Sequence, residues 1–176
     1  MRKLLILSAP LALLASPALA ATGDVTGQVD IKGSVTERCM FTVENKEIDL
    51  GEISLTSNGK LDTSKVNNRS ETLNGWCNNT AAKISVLATA LTNTTAAPAG
   101  FDNRVNYTAT AKAGTVEAAD TTTTDGAGAE SSLGLYAGEI TVTLSGASSP
   151  NNALMVAGSY NGNVVVTLTP MIVNPS

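Results

Sequence analysis

Residues 24–35 read DVTGQVDIKGSV, and the predicted fold depends on the segment with which this stretch pairs. Its odd positions carry apolar side chains and two glycines: Val25, Gly27, Val29, Ile31, Gly33 and Val35. Its even positions carry polar side chains, which include Thr26, Gln28, Asp30, Lys32 and Ser34. Because side chains of an extended chain alternate between two faces, the pattern predicts a strand with one apolar and one polar face. Such a strand needs an apolar groove, which either the same chain or another copy could provide.

A targeting segment precedes this stretch. Two basic residues follow the first Met, and an apolar run at 4–14 leads to a small-residue site that ends at Ala20. This order is typical of a secretory signal peptide, so residues 1–20 are expected to be removed after export. The remainder, residues 21–176, is long enough for one domain with a hydrophobic core.

The overall charge and the absence of His exclude several classes of function. The chain has 11 basic and 15 acidic side chains, a net charge of −4, and no His. An acidic protein repels nucleic acid and anionic lipid, so neither is expected as a partner, and no segment after the leader predicts insertion into a membrane. Without His, a Ser-His-Asp or Cys-His arrangement is impossible. We therefore expect no enzymatic activity, no metal and no cofactor.

The only two cysteines are Cys39 and Cys77. An even pair in an exported chain predicts one disulfide, because the compartments outside the cytoplasm are oxidising. A pair of metal ligands is the alternative, but the sequence offers neither a His nor a third Cys to complete such a site.

Short alternating runs separated by turn residues predict an all-β fold. About seven strands are expected, near residues 38–44, 47–53, 72–78, 83–91, 104–110, 139–144 and 164–169. Residues 113–134, which include TTTTDGAGAE, are predicted to be an exposed loop. This arrangement favours an immunoglobulin-like antiparallel sandwich. The last strand ends at Pro170, which leaves little chain for a closing strand, so we expect the sandwich to lack its final strand.

Both ends of the chain resemble a known family. Residues 29–35, VDIKGSV, are followed by Cys39, by the run IDLG at 48–51, and by Cys77. This layout is similar to that of the major subunits of chaperone–usher fimbriae. The ending AGSYNG at 157–162, followed by VVVTL, is closer to spore-coat-U-like and archaic fimbrial subunits. The resemblance is carried by the order of these short patterns behind a signal peptide.

The resemblance implies a function and a division of the chain. Residues 21–37 would be an N-terminal donor-strand extension, and residues 38–176 would form an incomplete pilin domain. The apolar positions of the extension, together with Gly27 and Gly33, would fill a groove in the next subunit, and the groove strand would present Val164, Val166 and Leu168 to it. A periplasmic chaperone would cover the groove until an outer-membrane usher adds the subunit to a head-to-tail filament. The protein would pass through the periplasm and end in a surface fimbria that serves adhesion or biofilm formation.

A self-complete fold is the alternative interpretation. In that case residues 24–35 pair within their own chain, and the product is a secreted β-sandwich that acts as a carbohydrate-binding adhesin or a surface-coat protein. Trp76 and Tyr107 could then stack on sugars, although isolated aromatic residues in strands more often belong to a core or a cross-strand pair.

Overall fold

The computed structural model describes residues 23–171, so the predicted signal peptide lies outside the described part of the chain. Of the described residues, 23–34 belong to one unit and 35–171 to another. The second unit contains a 3₁₀ turn, Thr63–Lys65, and ten strands within the described residues. The strands are β1 Cys39–Val43, β2 Ser70–Cys77, β3 Lys83–Thr92, β4 Phe101–Asp102, β5 Arg104–Ala113, β6 Val116–Thr121, β7 Ser131–Ser132, β8 Tyr136–Ser148, β9 Leu154–Met155 and β10 Asn161–Thr169.

Eight strands form an antiparallel sheet that folds over into an immunoglobulin-like sandwich. One layer has the order β1-β2-β8-β5-β6, and the other has β10-β3-β7. The layers join where Leu91 and Thr92 of β3 pair with Val105 and Arg104 of β5. The remaining strands, β4 and β9, form a separate parallel pair. The predicted all-β class and sandwich architecture are therefore confirmed.

The core lies between the two layers and consists mainly of Val, Ile, Leu and Ala. Burial alternates along β3, so Ile84, Val86 and Ala88 face inward as the sequence pattern predicts. Every second residue of β5, from Val105 to Ala113, is also buried. The longest side chain of that row is Tyr107, and alanines occupy the last three positions. Within residues 23–171 no helix is long and apolar enough to cross a membrane.

Two predicted strands are absent. Residues 24–35 contain no strand, and residues 47–53 contain none either. A β-strand exists through hydrogen bonds to a neighbour, so alternation of side chains alone does not form one. Ile48 and Leu50 nevertheless share a face, as their alternation predicts, because both side chains are half-buried against the core.

The prediction of an exposed loop at residues 113–134 is wrong. The segment contains β6 and β7, and it buries Ala118, Asp120 and Thr122. Strands β5 and β8 are also longer than predicted, because each continues until its partner ends. Burial alternates along β6 at Ala118 and Asp120, which lie just before the run TTTTDGAGAE on which the loop prediction was based.

Candidate functional site

A long open groove of about 1090 Å³ runs beside β10. One wall consists of residues 44–54, and the other consists of residues 155–166. The groove is lined at its floor by apolar core side chains from four strands, namely Leu73, Leu91, Tyr107, Val142 and Leu144. Tyr107, Val142 and Leu144 are buried at this floor, whereas Leu73 and Leu91 are half-buried and leave some apolar surface open to the groove.

Strand β10 contributes residues 161–166 to the second wall, and it is hydrogen-bonded to another strand on one side only. It pairs with β3 in a register that places Val164 opposite Ala88 and Val166 opposite Val86. Among the described residues, no strand pairs with its other edge. A row of backbone N–H and C=O groups without partners invites another strand to pair with it.

The three predicted groove residues of β10 lie on one face. Val166 is buried, Val164 and Leu168 are half-buried, and the intervening Val165 and Thr167 are exposed. Val164 and Val166 line the groove, whereas Leu168 lies beyond its end. A Cβ atom built on Gly75 would lie 3.1 Å from Cδ1 of Leu168, so the two strands are in close contact there. Leu168 therefore closes the groove rather than lining it.

Most of the first wall, residues 44–52, follows β1 but does not form a strand. Within the described chain these residues form no backbone–backbone hydrogen bond. Gly51 adopts a positive φ of 61°, and its N–H donates to the carboxylate of Asp49 at 2.9 Å. The groove thus separates the unpaired edge of β10 from a segment without backbone–backbone hydrogen bonds, and a single inserted strand could pair with each of them.

The outer edge of β3, by contrast, is fully covered. Ser131 and Ser132 pair with its beginning, and the N–H of Gly128 donates to the carbonyl oxygen of Val86 at 2.9 Å. Asp120 accepts a hydrogen bond from the N–H of Ala88 at 2.8 Å. Strand β5 pairs with the last two residues. The chain therefore protects one edge of this layer and leaves the other, β10, open.

One end of the groove is held by buried polar contacts. The hydroxyl of Tyr160 donates to the carbonyl oxygens of Val156 and Asp102 at 2.9 and 3.2 Å. The buried carboxylate of Asp102 accepts hydrogen bonds from both N–H groups of Asn151 and Ala153 and from the Asn151 side chain. Burial alone would raise the pKa of Asp102, but these donors outweigh it and hold the pKa below its ordinary value.

The two walls differ in charge. Residues 44–52 carry four exposed carboxylates, Glu44, Glu47, Asp49 and Glu52, and one ammonium, that of Lys46. The exposed side chains of β10 are uncharged, since they come from Asn161, Asn163, Val165 and Thr167. Hydrogen bonds from the hydroxyl and N–H of Ser54 lower the pKa of Glu52 and keep it ionised.

The predicted donor residues are all solvent-exposed. Val25 is 97% exposed and Ile31 is 92% exposed, and Val29 and Val35 are almost as accessible. Gly27 and Gly33 are exposed as well. Large aliphatic side chains with this pattern bury their surface when they find an apolar partner.

The predicted disulfide is confirmed. Cys39 and Cys77 are bonded to one another and face each other directly in the β1–β2 ladder. The bond therefore ties the first residue of β1 to the last residue of β2.

Sequence reasoning missed the structural roles of Tyr107 and Asp120. Tyr107 is only 3% exposed and lines the groove floor, so it is not available to stack on a sugar from the outside. Its hydroxyl donates to the carbonyl oxygens of Thr89 and Asn163, at 2.7 and 3.2 Å. Trp76 is half-buried and pairs with Met40 across β1 and β2.

The described residues contain no group of three or more His, Cys, Asp or Glu side chains that could hold a metal ion. Comparison of the chain with protein-family models, curated proteins and solved structures finds no match. The chemistry that the arrangement itself supports is the binding of an extended polypeptide along β10.

Proposed function

We propose that this protein is a structural subunit of a bacterial surface fimbria that polymerises by donor-strand exchange. In this mechanism the apolar face of residues 24–35 from one copy enters the groove of the next copy. The observation that carries the proposal is the groove itself, which lies between the unpaired edge of β10 and residues 44–52, a segment without backbone–backbone hydrogen bonds, while the outer edge of β3 is covered.

Burial of apolar surface supplies the driving force. Val25, Val29, Ile31 and Val35 are exposed in the single chain, and each would contribute about 1.5–3 kcal/mol when buried. Backbone hydrogen bonds to both walls would add to this and would fix the strand in extended form. Because donor and groove are different surfaces, the contact is head-to-tail and generates an open filament.

A subunit with an open groove needs other proteins to protect it before assembly. An exposed apolar groove beside an unpaired edge promotes aggregation, so a periplasmic chaperone would cover it before assembly. An outer-membrane usher would then deliver subunits to the growing fibre on the cell surface, where it serves adhesion or biofilm formation. Export would depend on the predicted signal peptide.

The assembly state of the purified mature chain tests the proposal. Residues 21–176 should form fibres that electron microscopy detects, and the chain without residues 21–36 should not. Ile31→Asn places an amide on the apolar face and should weaken the contact roughly 100-fold. Ser34→Asn makes a comparable change on the polar face and should leave the fibres intact.

Two outcomes would contradict the proposal. One is a wild-type chain that remains a folded monomer at all concentrations, as expected for a self-complete adhesin or coat protein. The other is normal fibre growth by the Ile31→Asn chain. Hydrogen exchange provides a second readout, because the amides on the unpaired edge of β10 and those of residues 44–52 should become protected only when fibres form.

A further inference from the structure

The mouth of the groove carries charge on one wall only. Among the side chains that point to solvent there, the carboxylates belong to residues 44–52, and β10 contributes neutral groups. An incoming strand turns its polar face toward solvent between these walls. A cation on that face is therefore attracted toward residues 44–52, and an anion is repelled from them.

Two exposed carboxylates of the acidic wall, Glu44 and Glu47, make no hydrogen bond or ion pair among the described residues, and Glu47 lies nearer the middle of the wall, since Glu44 follows β1 directly. Asp49 already accepts a hydrogen bond from Gly51, and Glu52 accepts two from Ser54. Glu47 is exposed, and it has no hydrogen bond or ion pair to another described residue. Its neighbour Ile48 faces the core, so Glu47 points away from the floor, where the polar face of an inserted strand would lie.

Lys32 is the cation that the polar face of residues 24–35 presents. Its ammonium takes part in neither of the ion pairs of the described chain, which are Lys83–Glu130 and Lys112–Glu117. The nearest acid on the same face, Asp30, accepts a hydrogen bond from the side chain of Gln28 at 2.6 Å. On this polar face, therefore, the ammonium of Lys32 is in no ion pair, and the carboxylate of Asp30 already accepts a hydrogen bond.

We infer that Lys32 of an incoming copy pairs with Glu47 and so selects the register of the inserted strand, an inference that rests on the proposed function. The alternation of apolar and polar side chains already fixes which face of the strand enters the groove. It still permits the strand to shift along the groove by two residues. A slip in one direction places the carboxylate of Asp30 beside the acidic wall, and a slip in the other places Ser34 there. The register with Lys32 at that position is the one that the charges favour.

Charge reversal in the full mature chain tests this inference. Lys32→Glu should slow fibre growth roughly three- to tenfold in about 50 mM salt, as measured by light scattering. The difference should shrink in about 1 M salt, where charges are screened within about 3 Å. The swap Lys32→Glu with Glu47→Lys should restore the wild-type rate to within about twofold. Lys112→Glu, which changes the net charge of the chain equally at an exposed position outside the groove, should not slow growth.

A zero-length carbodiimide cross-link gives a direct readout. Fibres grown from mixed ¹⁴N and ¹⁵N chains should yield a peptide in which Lys32 of one isotope is joined to Glu47 of the other. If wild-type chains form fibres, Ile31→Asn chains do not, and Lys32→Glu behaves like Lys112→Glu without a mixed cross-link, the inference is overturned while the proposed function stands. If wild-type chains stay monomeric, both are overturned.

Discussion

The carboxylate of Asp120 in β6 accepts a hydrogen bond from the backbone N–H of Ala88 in β3 at 2.8 Å. This side chain takes the place of a backbone partner at a point where no strand lies beside β3. It is only 5% exposed, so water cannot substitute for it. The contact shows that β6 helps to cover one edge of β3, whereas the free edge of β10 has no such cover among the described residues.

Removing this contact should destabilise the domain. Asp120→Ala leaves the buried N–H of Ala88 without an acceptor and should lower the free energy of unfolding by about 1–3 kcal/mol. Asp120→Asn retains an acceptor and should lose less. Urea denaturation measures both, and Asp125→Ala at an exposed site is the control. Equal stability of Asp120→Ala and Asp125→Ala chains would contradict the role given to this hydrogen bond.

Stability should fall at high pH because of Tyr107. Burial, together with the nearby charge of Asp120, raises the pKa of Tyr107 to about 12. A tyrosine in the unfolded chain ionises near pH 10, so the contribution of Tyr107 is complete below about pH 10 and is lost as the pH rises to about 12. The loss should approach about 3 kcal/mol, since one pKa unit corresponds to about 1.4 kcal/mol. Tyr107→Phe should be less stable at neutral pH but should show a shallower decline, and parallel curves would refute the assignment.

The disulfide should be a major source of stability. It closes a loop with a sequence separation of 38 residues, for which the chain-entropy relation gives about 4 kcal/mol. The Cys39→Ser/Cys77→Ser double variant should therefore unfold at markedly lower urea concentration than the oxidised wild type. Wild type treated with reductant should match the double variant, and insensitivity of the midpoint to reductant would show that the bond contributes little.

Asp102 should make the end of the groove sensitive to acid. Its pKa lies below the ordinary value, so its contribution is present above about pH 4 and is lost as the pH falls through the folded-state pKa. Asp102→Asn removes the charge and should lower the free energy of unfolding by about 1–3 kcal/mol near neutral pH. The difference from wild type should narrow in acid. A difference that stays constant down to about pH 2 would show that ionisation of Asp102 is irrelevant.

Local patterns predicted much of the sandwich. Ile84, Val86 and Ala88 alternate clearly, and the cysteine pair identified the disulfide. The predictions failed where a strand depends on its neighbours. Residues 47–53 alternate but lack a partner, whereas β6 has small and polar residues yet pairs along β5.

The sequence predicted only part of the candidate site. The alternation of Val164, Val166 and Leu168 predicted a shared face, but it could not show that Leu168 closes the groove instead of lining it. Nor could it place Tyr107 on the groove floor, because β5 and β10 are far apart in the chain.

The sequence by itself determined the all-β class, the periodicity of the strands and the covalent pairing of Cys39 with Cys77, because each depends on residue type and short-range spacing. Only the tertiary structure decided which edges are paired. The cover over β3 and the open edge of β10 result from contacts between residues distant in sequence, such as Ala88 with Asp120. Hydrogen bonding between strands is a property of two segments together, so neither segment alone could reveal where a partner is missing.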